Sequence, residues 1–212
     1  RGGVLEEWCA QVLSAASHRL LNVGLMTPPD PSLDATLSPC ANLVRQVMRA
    51  CPQQSSEVSA TIIEALLACC GGSSVGGGKA RRHAESNAQG ALRESLAHFH
   101  PSLSFEGLLP LVSDPNSPVL APALAHLGTV VRAAPPPVVN HQLGGLLPPL
   151  FAAFGSSQAH VRKAVVLALV SVHSVIGDAL MPHLDPLTPP QMKLIAIYID
   201  RNNAERETAG LA

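Results

Sequence analysis

Residues 161–176, VRKAVVLALVSVHSVI, restrict the possible folds of this chain more than any other stretch. Val161, Ala164, Val165, Ala168, Leu169, Val172 and Ile176 recur at the i, i+3, i+4, i+7 spacing of one helix face. Val166, Leu167, Val170 and Val175 are apolar on the opposite side. A helix that is apolar almost all round has to be buried on several sides. Its β-branched residues would also suit a buried strand, but sixteen residues far exceed the usual strand of about five or six. The segment therefore reads as a helix in the middle of a stack of other helices.

Composition supports more helices of the same kind. Of 212 residues, 47% are hydrophobic and only 3% aromatic, with one Trp and one Tyr. Such a chain leans on Leu, Ala and Val, which favours helices over a sandwich rich in aromatic and β-branched residues. Charged residues make up 14%, low for a surface that meets only water, so part of the apolar surface is expected to face a neighbour. The net charge of −1 offers no basic excess for nucleic acid or a membrane surface. The longest apolar run, Ala164 to Val172, is too short to cross a bilayer, and the N-terminus lacks the pattern of a signal peptide. A chain that starts at Arg1 reads as a piece of something longer. The cysteines at 9, 40, 51, 69 and 70 are odd in number, with no CxxC spacing, and read as reduced thiols.

Helical runs alternate with clusters of breakers. Runs are predicted at 4–25, 39–50, 57–70, 79–98, 103–112, 118–134, 138–154, 161–176 and 189–202. The breaks between them are rich in Pro, Gly, Ser and Asn. Two helices per roughly 40–50 residues is the period of HEAT-type repeats. The expected architecture is an all-α HEAT-repeat α-solenoid of about four helical hairpins plus a C-terminal helix. It forms one domain over residues 1–203, with a flexible Gly-rich loop at 71–78 and a tail at 204–212. The last helix carries a start signal: Thr188 as cap, Pro189 at the first helical position and Gln191 closing a capping box. Leu187 and Met192 are spaced for a hydrophobic staple. Leu194, Ile195, Ile197 and Tyr198 supply its apolar face.

Chemical motifs are absent. The glycines before Lys79 resemble a phosphate-binding loop only loosely: Ser73 and Ala80 stand where Gly and Ser/Thr are needed, and a helix precedes them. The cluster Lys79, Arg81, Arg82, His83 reads as a solvated helix start. His98 and His100 do not share a helix face, and His173 reads as a half-buried packing residue. Cys69–Cys70 and Trp8 read as core. No HExxH, GxSxG or paired-cysteine motif is present. The chain is expected to be no enzyme and to hold no cofactor or metal, which leaves surfaces as its functional parts.

The final third carries a resemblance. Leu146-Leu147-Pro148-Pro149-Leu150 through His160-Val161-Arg162-Lys163-Ala164 has a HEAT signature: an apolar helix, a polar turn, then Val-Arg opening the next helix. LVSVHSVIGDALMPHLDPLTPPQMKLIAIYIDR, from Leu169 to Arg201, resembles the C-terminus of the CLASP family of microtubule-associated proteins. The shared features are the VRKA start, a VxxVIGD turn, a Pro-His-Leu segment, Leu-Thr before the last helix, and Met-Lys-Leu followed by an aliphatic-Tyr-Ile run. The resemblance is strong over about residues 146–202.

This resemblance implies a cytoplasmic, cytoskeletal protein of plus-end tracking, mitotic-spindle and kinetochore biology. Its C-terminal helical domain would dock partners: cytoplasmic linker proteins, a kinetochore kinesin or a sorting nexin. Microtubules or tubulin would be reached through the rest of the chain. Family members bind tubulin through TOG domains whose intra-repeat turns carry a Trp and several bases. The turns 27–38 and 113–117 here carry neither, so a docking role is favoured. The candidate partner-binding residues are Arg45, Arg81, Arg82, Arg162 and Lys163, read as polar starts of inner helices that flank a concave face. For Arg162 a structural alternative stands beside this: bracing an acidic residue of the neighbouring repeat. The alternative functions are a tubulin-binding TOG-type array and a structural HEAT scaffold in another large assembly.

Overall fold

The computed structural model describes residues 2–26, 30–71, 78–208 and 210, with the side chains of 2–6, 31 and 54 left aside. The described residues form helices and turns and no strand. In chain order these are α1 (Gly2–Gly24), α2 (Pro31–Ala50), α3 (Pro52–Glu57), α4 (Ser59–Gly71), α5 (Lys79–His98), α6 (Pro101–Ser113), α7 (Leu120–Ala133), α8 (Pro136–Phe154) and α9 (Ala159–Ile176). A 3₁₀ stretch (Gly177–Leu184) and α10 (Pro189–Thr208) follow. The pairs α1/α2, α4/α5 and α8/α9 pack as hairpins, and α10 packs on α9. The fold is all-α and of the HEAT type. The chain divides into two compact units, residues 1–111 with 116–123, and residues 112–115 with 124–212.

In the first unit α1 packs on α2 and on α4, while α2 and α4 both pack on α5. The core is aliphatic: Leu13, Leu20, Leu37, Met48, Ile62, Ile63, Leu66 and Leu67 are all fully buried. At the crossing of α1 and α4 a Cβ on Gly24 would lie 2.9 Å from the Ala68 carbonyl, so only glycine lets the two backbones come this close. α2 begins eight residues before the Pro39 start that the sequence suggested. Asp30 caps it, accepting from the Ser32 N–H at 2.8 Å, and Pro31 occupies the first turn. Pro39 is accommodated inside the helix. The break read at 27–38 therefore reduces to a short connection, of which residues 27–29 lie outside the described residues. So does 72–77, the greater part of the Gly-rich loop.

Two further features of this unit depart from the reading of the sequence. Cys9 and Cys51 are joined as a disulfide that ties α1 to the end of α2, whereas all five cysteines were expected to be reduced. Both are buried, so the link sits inside the packing, and in a reducing compartment the same pair would remain as packed thiols. Trp8 was expected in the core but is 57% exposed, because α1 turns Cys9, Leu13, Ala16 and Leu20 inward and leaves Trp8 off that face.

In the second unit α9 packs on α8, on α10 and on the 3₁₀ stretch. Across its other side it approaches α7, where a Cβ on Gly128 would lie 3.1 Å from Ser171 Oγ. This multiple burial accounts for the all-round apolar sequence of α9: Val161, Val165, Val166, Ala168, Leu169, Val170 and Val172 are buried. With the 3₁₀ stretch it makes a segment, 159–184, long and apolar enough by length and composition to cross a bilayer, which counting the apolar run alone missed. Its buried residues explain the apolarity by packing within the unit. Gly177 ends α9 at φ +61°, ψ −144°, a backbone region open almost only to glycine. Gly177→Ala is accordingly expected to cost about 1–3 kcal/mol, measured by denaturant unfolding; no loss would mean that the turn tolerates a side chain.

α10 starts as its sequence signals. Gln191 Oε1 accepts from the Thr188 N–H at 2.9 Å and from the Thr188 hydroxyl at 2.8 Å. This is the half of the capping box in which the third residue reaches back. The helix then continues to Thr208, so Ala204 to Thr208 are helical, not tail.

Candidate functional site

Each of the five arginine and lysine candidates has a definite place. Arg45 is not at a helix start, because α2 begins at Pro31; it lies in the second half of the helix. Its Nε donates to Glu94 of α5 at 2.5 Å, and Arg49 grips the same carboxylate with Nε and, at 3.1 Å, with Nη2. These hydrogen bonds, Arg49's first, hold the Glu94 carboxyl below the usual carboxylate range. Arg45 thus spends its guanidinium on the α2–α5 contact. Arg49, its partner one turn on, was not singled out from sequence, since Glu94 is 45 residues away.

Arg81 is 1% exposed, so it is not a surface residue. Its Nη1 lies 3.3 Å from Asp34 Oδ1, and its Nη2 donates to the Gly24 carbonyl. One side chain from the start of α5 thus ties the end of α1 to the first turn of α2. The bracing of an acidic residue in the neighbouring repeat, considered from sequence for Arg162, is made instead by Arg81. Arg162 donates to the carbonyls of Ser156 and Ser157 at 2.7 and 2.9 Å, closing the turn before its own helix. Arg82 and Lys163 are exposed. His173 is half-buried as expected, with Nε2 3.5 Å from Asp178 Oδ1.

Lys163 leads to a feature that the sequence did not reveal. It stands at one end of a groove of about 300 Å³ between α9 and α10, lined by Leu167, Val170, Tyr198, Arg201 and Glu205 among others. Arg201 and Glu205 pair with each other at 2.8 Å along α10, whereas Lys163 has no ion-pair partner among the described residues. The groove has an aliphatic and aromatic floor and a charged rim. Alongside it α10 carries two apolar rows. Ile195 and Ile199 are buried, while Ile197 is 54% exposed and Leu194 is also exposed. The single apolar face read from Leu194, Ile195, Ile197 and Tyr198 is therefore split, with Leu194 and Ile197 turned outward. Across the groove Leu167 of α9 is 44% exposed. The excess was visible in sequence, since five large apolar residues between 194 and 199 are more than one helix face can bury.

No group of three or more His, Cys, Asp or Glu side chains suited to a metal occurs among the described residues. Cys69 and Cys70 are pushed up to about 12 by burial, which keeps them as inert thiols. The arrangement can hold an apolar side chain against Leu167 and Tyr198 and meet a charge at Lys163.

No family model matches the chain. A "CLIP-associated protein" of Arabidopsis thaliana is 31% identical over 124 residues, which is 58% of this chain and 9% of that protein. "CLIP-associating protein 1-A" of Xenopus laevis is 31% identical over 103 residues, 49% of this chain and 7% of that protein. The chain thus spans less than a tenth of the length of these curated relatives. Among solved structures, a TOG domain of Zyg9 from C. elegans superposes with a TM-score of 0.63 at 16% identity, over 92% of this chain and 68% of that one. Over about half its length this chain is thus similar to CLIP-associating proteins, and its helical-repeat fold is that of a TOG domain.

Proposed function

We propose that this chain is a non-catalytic docking domain of a CLASP-like microtubule-associated protein, working in the cytoplasm on the cytoskeleton. The observation that carries this reading is the double apolar character of α10. It buries Ile195 and Ile199 to hold the unit together and leaves Leu194 and Ile197 to solvent, on the helix whose Tyr198, Arg201 and Glu205 line the α9–α10 groove. The exposed row lies in the very stretch, Leu169 to Arg201, that carries the CLASP resemblance. An exposed row of aliphatic side chains costs solubility and is kept where a partner covers it. The partner favoured by the relatives' names is a cytoplasmic linker protein; a kinetochore kinesin or a sorting nexin would use the same mode. Because Glu205 lines the groove, the functional piece runs to Thr208, not to residue 203.

A tubulin-binding TOG-type array is the second reading. Its support is the TOG fold together with exposed Trp8 and the exposed bases Lys79 and Arg82 at the start of α5. Against it, Trp8 lies within α1 and not on a turn between paired helices.

The test is co-sedimentation of the chain with microtubules and with tubulin, run beside capture by a purified cytoplasmic linker protein. Linker capture without tubulin binding is the expected result. Tubulin binding without linker capture would replace the docking reading with the TOG array, and neither would leave a helical scaffold.

A further inference from the structure

We infer that the α9–α10 groove takes one amphipathic helix of acidic character, laid along α10 with its aliphatic residues against Leu167 and Ile197. This rests on the docking reading and names the occupant's chemistry.

The surface itself selects the mode. Around the groove every element is helical, so no strand edge is open and an extended peptide finds no ladder to join. Affinity must then come from side chains, and a helix presents them at i, i+3, i+4 and i+7 along one line. The exposed apolar positions on α10 answer that spacing: Leu194 and Ile197 lie three apart, while across from them α9 exposes Leu167 and keeps Val170 buried in the groove wall. A groove of about 300 Å³ is at the lower end of small-molecule pockets and holds a few aliphatic side chains.

Charge chooses the sign. Arg201 and Glu205 satisfy each other, so the net charge that faces an occupant is that of Lys163. Lys163 is in the second turn of α9, exposed and free to meet a carboxylate with its own charge. A basic helix would meet Lys163 as a like charge. An acidic one can place a carboxylate on Lys163 while its leucines cover Leu167 and Tyr198.

The experiment uses the full chain, isotope-labelled for amide NMR. It is titrated with a model helix of about fifteen residues, ~22 Å long. One version carries leucines on one face and glutamates on its flanks; a second has lysines in place of the glutamates. Amides of 163–170 and 194–205 should shift with the acidic helix. Binding should be about tenfold weaker for the basic helix and for Leu167→Asp or Lys163→Glu. All these positions are exposed, so circular dichroism should show both variants folded. Equal affinity for the two helices, or shifts confined to other parts of the chain, would overturn the inference. The docking reading fails separately: linker capture that survives Leu167→Asp would sink the groove and keep the docking role, whereas groove binding of the acidic helix without linker capture would do the reverse.

Discussion

Arg81→Met should weaken the first unit by about 3–5 kcal/mol, the usual cost of removing one partner from a buried ion pair. The guanidinium is 1% exposed and bonds Asp34 and the Gly24 carbonyl, while Asp34 is itself 3% exposed. Without Arg81, a carboxylate and a carbonyl stay buried with nothing to answer them. The loss should appear as faster amide exchange in α2 and α5 and as a lower denaturation midpoint. Arg82→Met, one residue on but exposed, should stay within about 0.5 kcal/mol of the parent. The double variant Asp34→Leu, Arg81→Met should recover much of the loss, because it removes both charges instead of stranding one. The pair need not contribute net stability over an apolar replacement, and Arg81 Nε is left without a hydrogen-bond partner. What it does is align one turn with the next helix pair. A cost below about 1 kcal/mol for Arg81→Met would show that the residue braces nothing.

The second large effect is acid lability of the second unit through His126. This residue on α7 is 7% exposed, its Nε2 has no hydrogen-bond partner, and burial pushes its pKa from 6.5 down to about 4. Above about pH 6.5 the ring is neutral in both folded and unfolded chains, and it exacts no proton-linked cost. As pH falls through 6.5 the unfolded chain takes up a proton that the folded unit refuses, so stability falls. The loss is complete near pH 4 and amounts to about 3 kcal/mol. His126→Leu should flatten the stability profile between pH 6.5 and 4 and leave it little changed at pH 7.5. A parent and variant with parallel profiles would mean that the ring is protonated where it sits. Glu94 works in the same direction at lower pH, since Arg49 and Arg45 hold its carboxyl below the ordinary range.

Where helices exist was legible in the sequence, because burial patterns and breakers are local. Lys79 to His98 was read to the residue, and α9 was recognised as a helix covered on several sides. The start of α2 was missed for a local reason as well: Pro39 looked like a beginning, yet Asp30 with Pro31 was the stronger cap. The candidate site was far less legible. Arg45, Arg81 and Arg162 read from sequence as partner-binding helix starts, whereas the structure places Arg45 within α2, buries Arg81 and ties Arg162 to its own turn. What each one does depends on which acid or carbonyl folding brings beside it.

The sequence alone determined the class of this protein: helices in pairs, built on aliphatic residues, ending in a stretch that resembles the CLASP C-terminus. Periodicity, caps and breakers act over a few residues, so they can be read without the fold. Tertiary structure alone decided that Cys9 meets Cys51 across 42 residues and that Arg81 is buried against Asp34. It also decided that Trp8 faces water, and that of the five large apolar residues between 194 and 199 the unit covers Ile195 and Ile199 and leaves Leu194 and Ile197 exposed. Those outcomes depend on which faces of neighbouring helices meet, a choice made by packing between segments far apart in the chain.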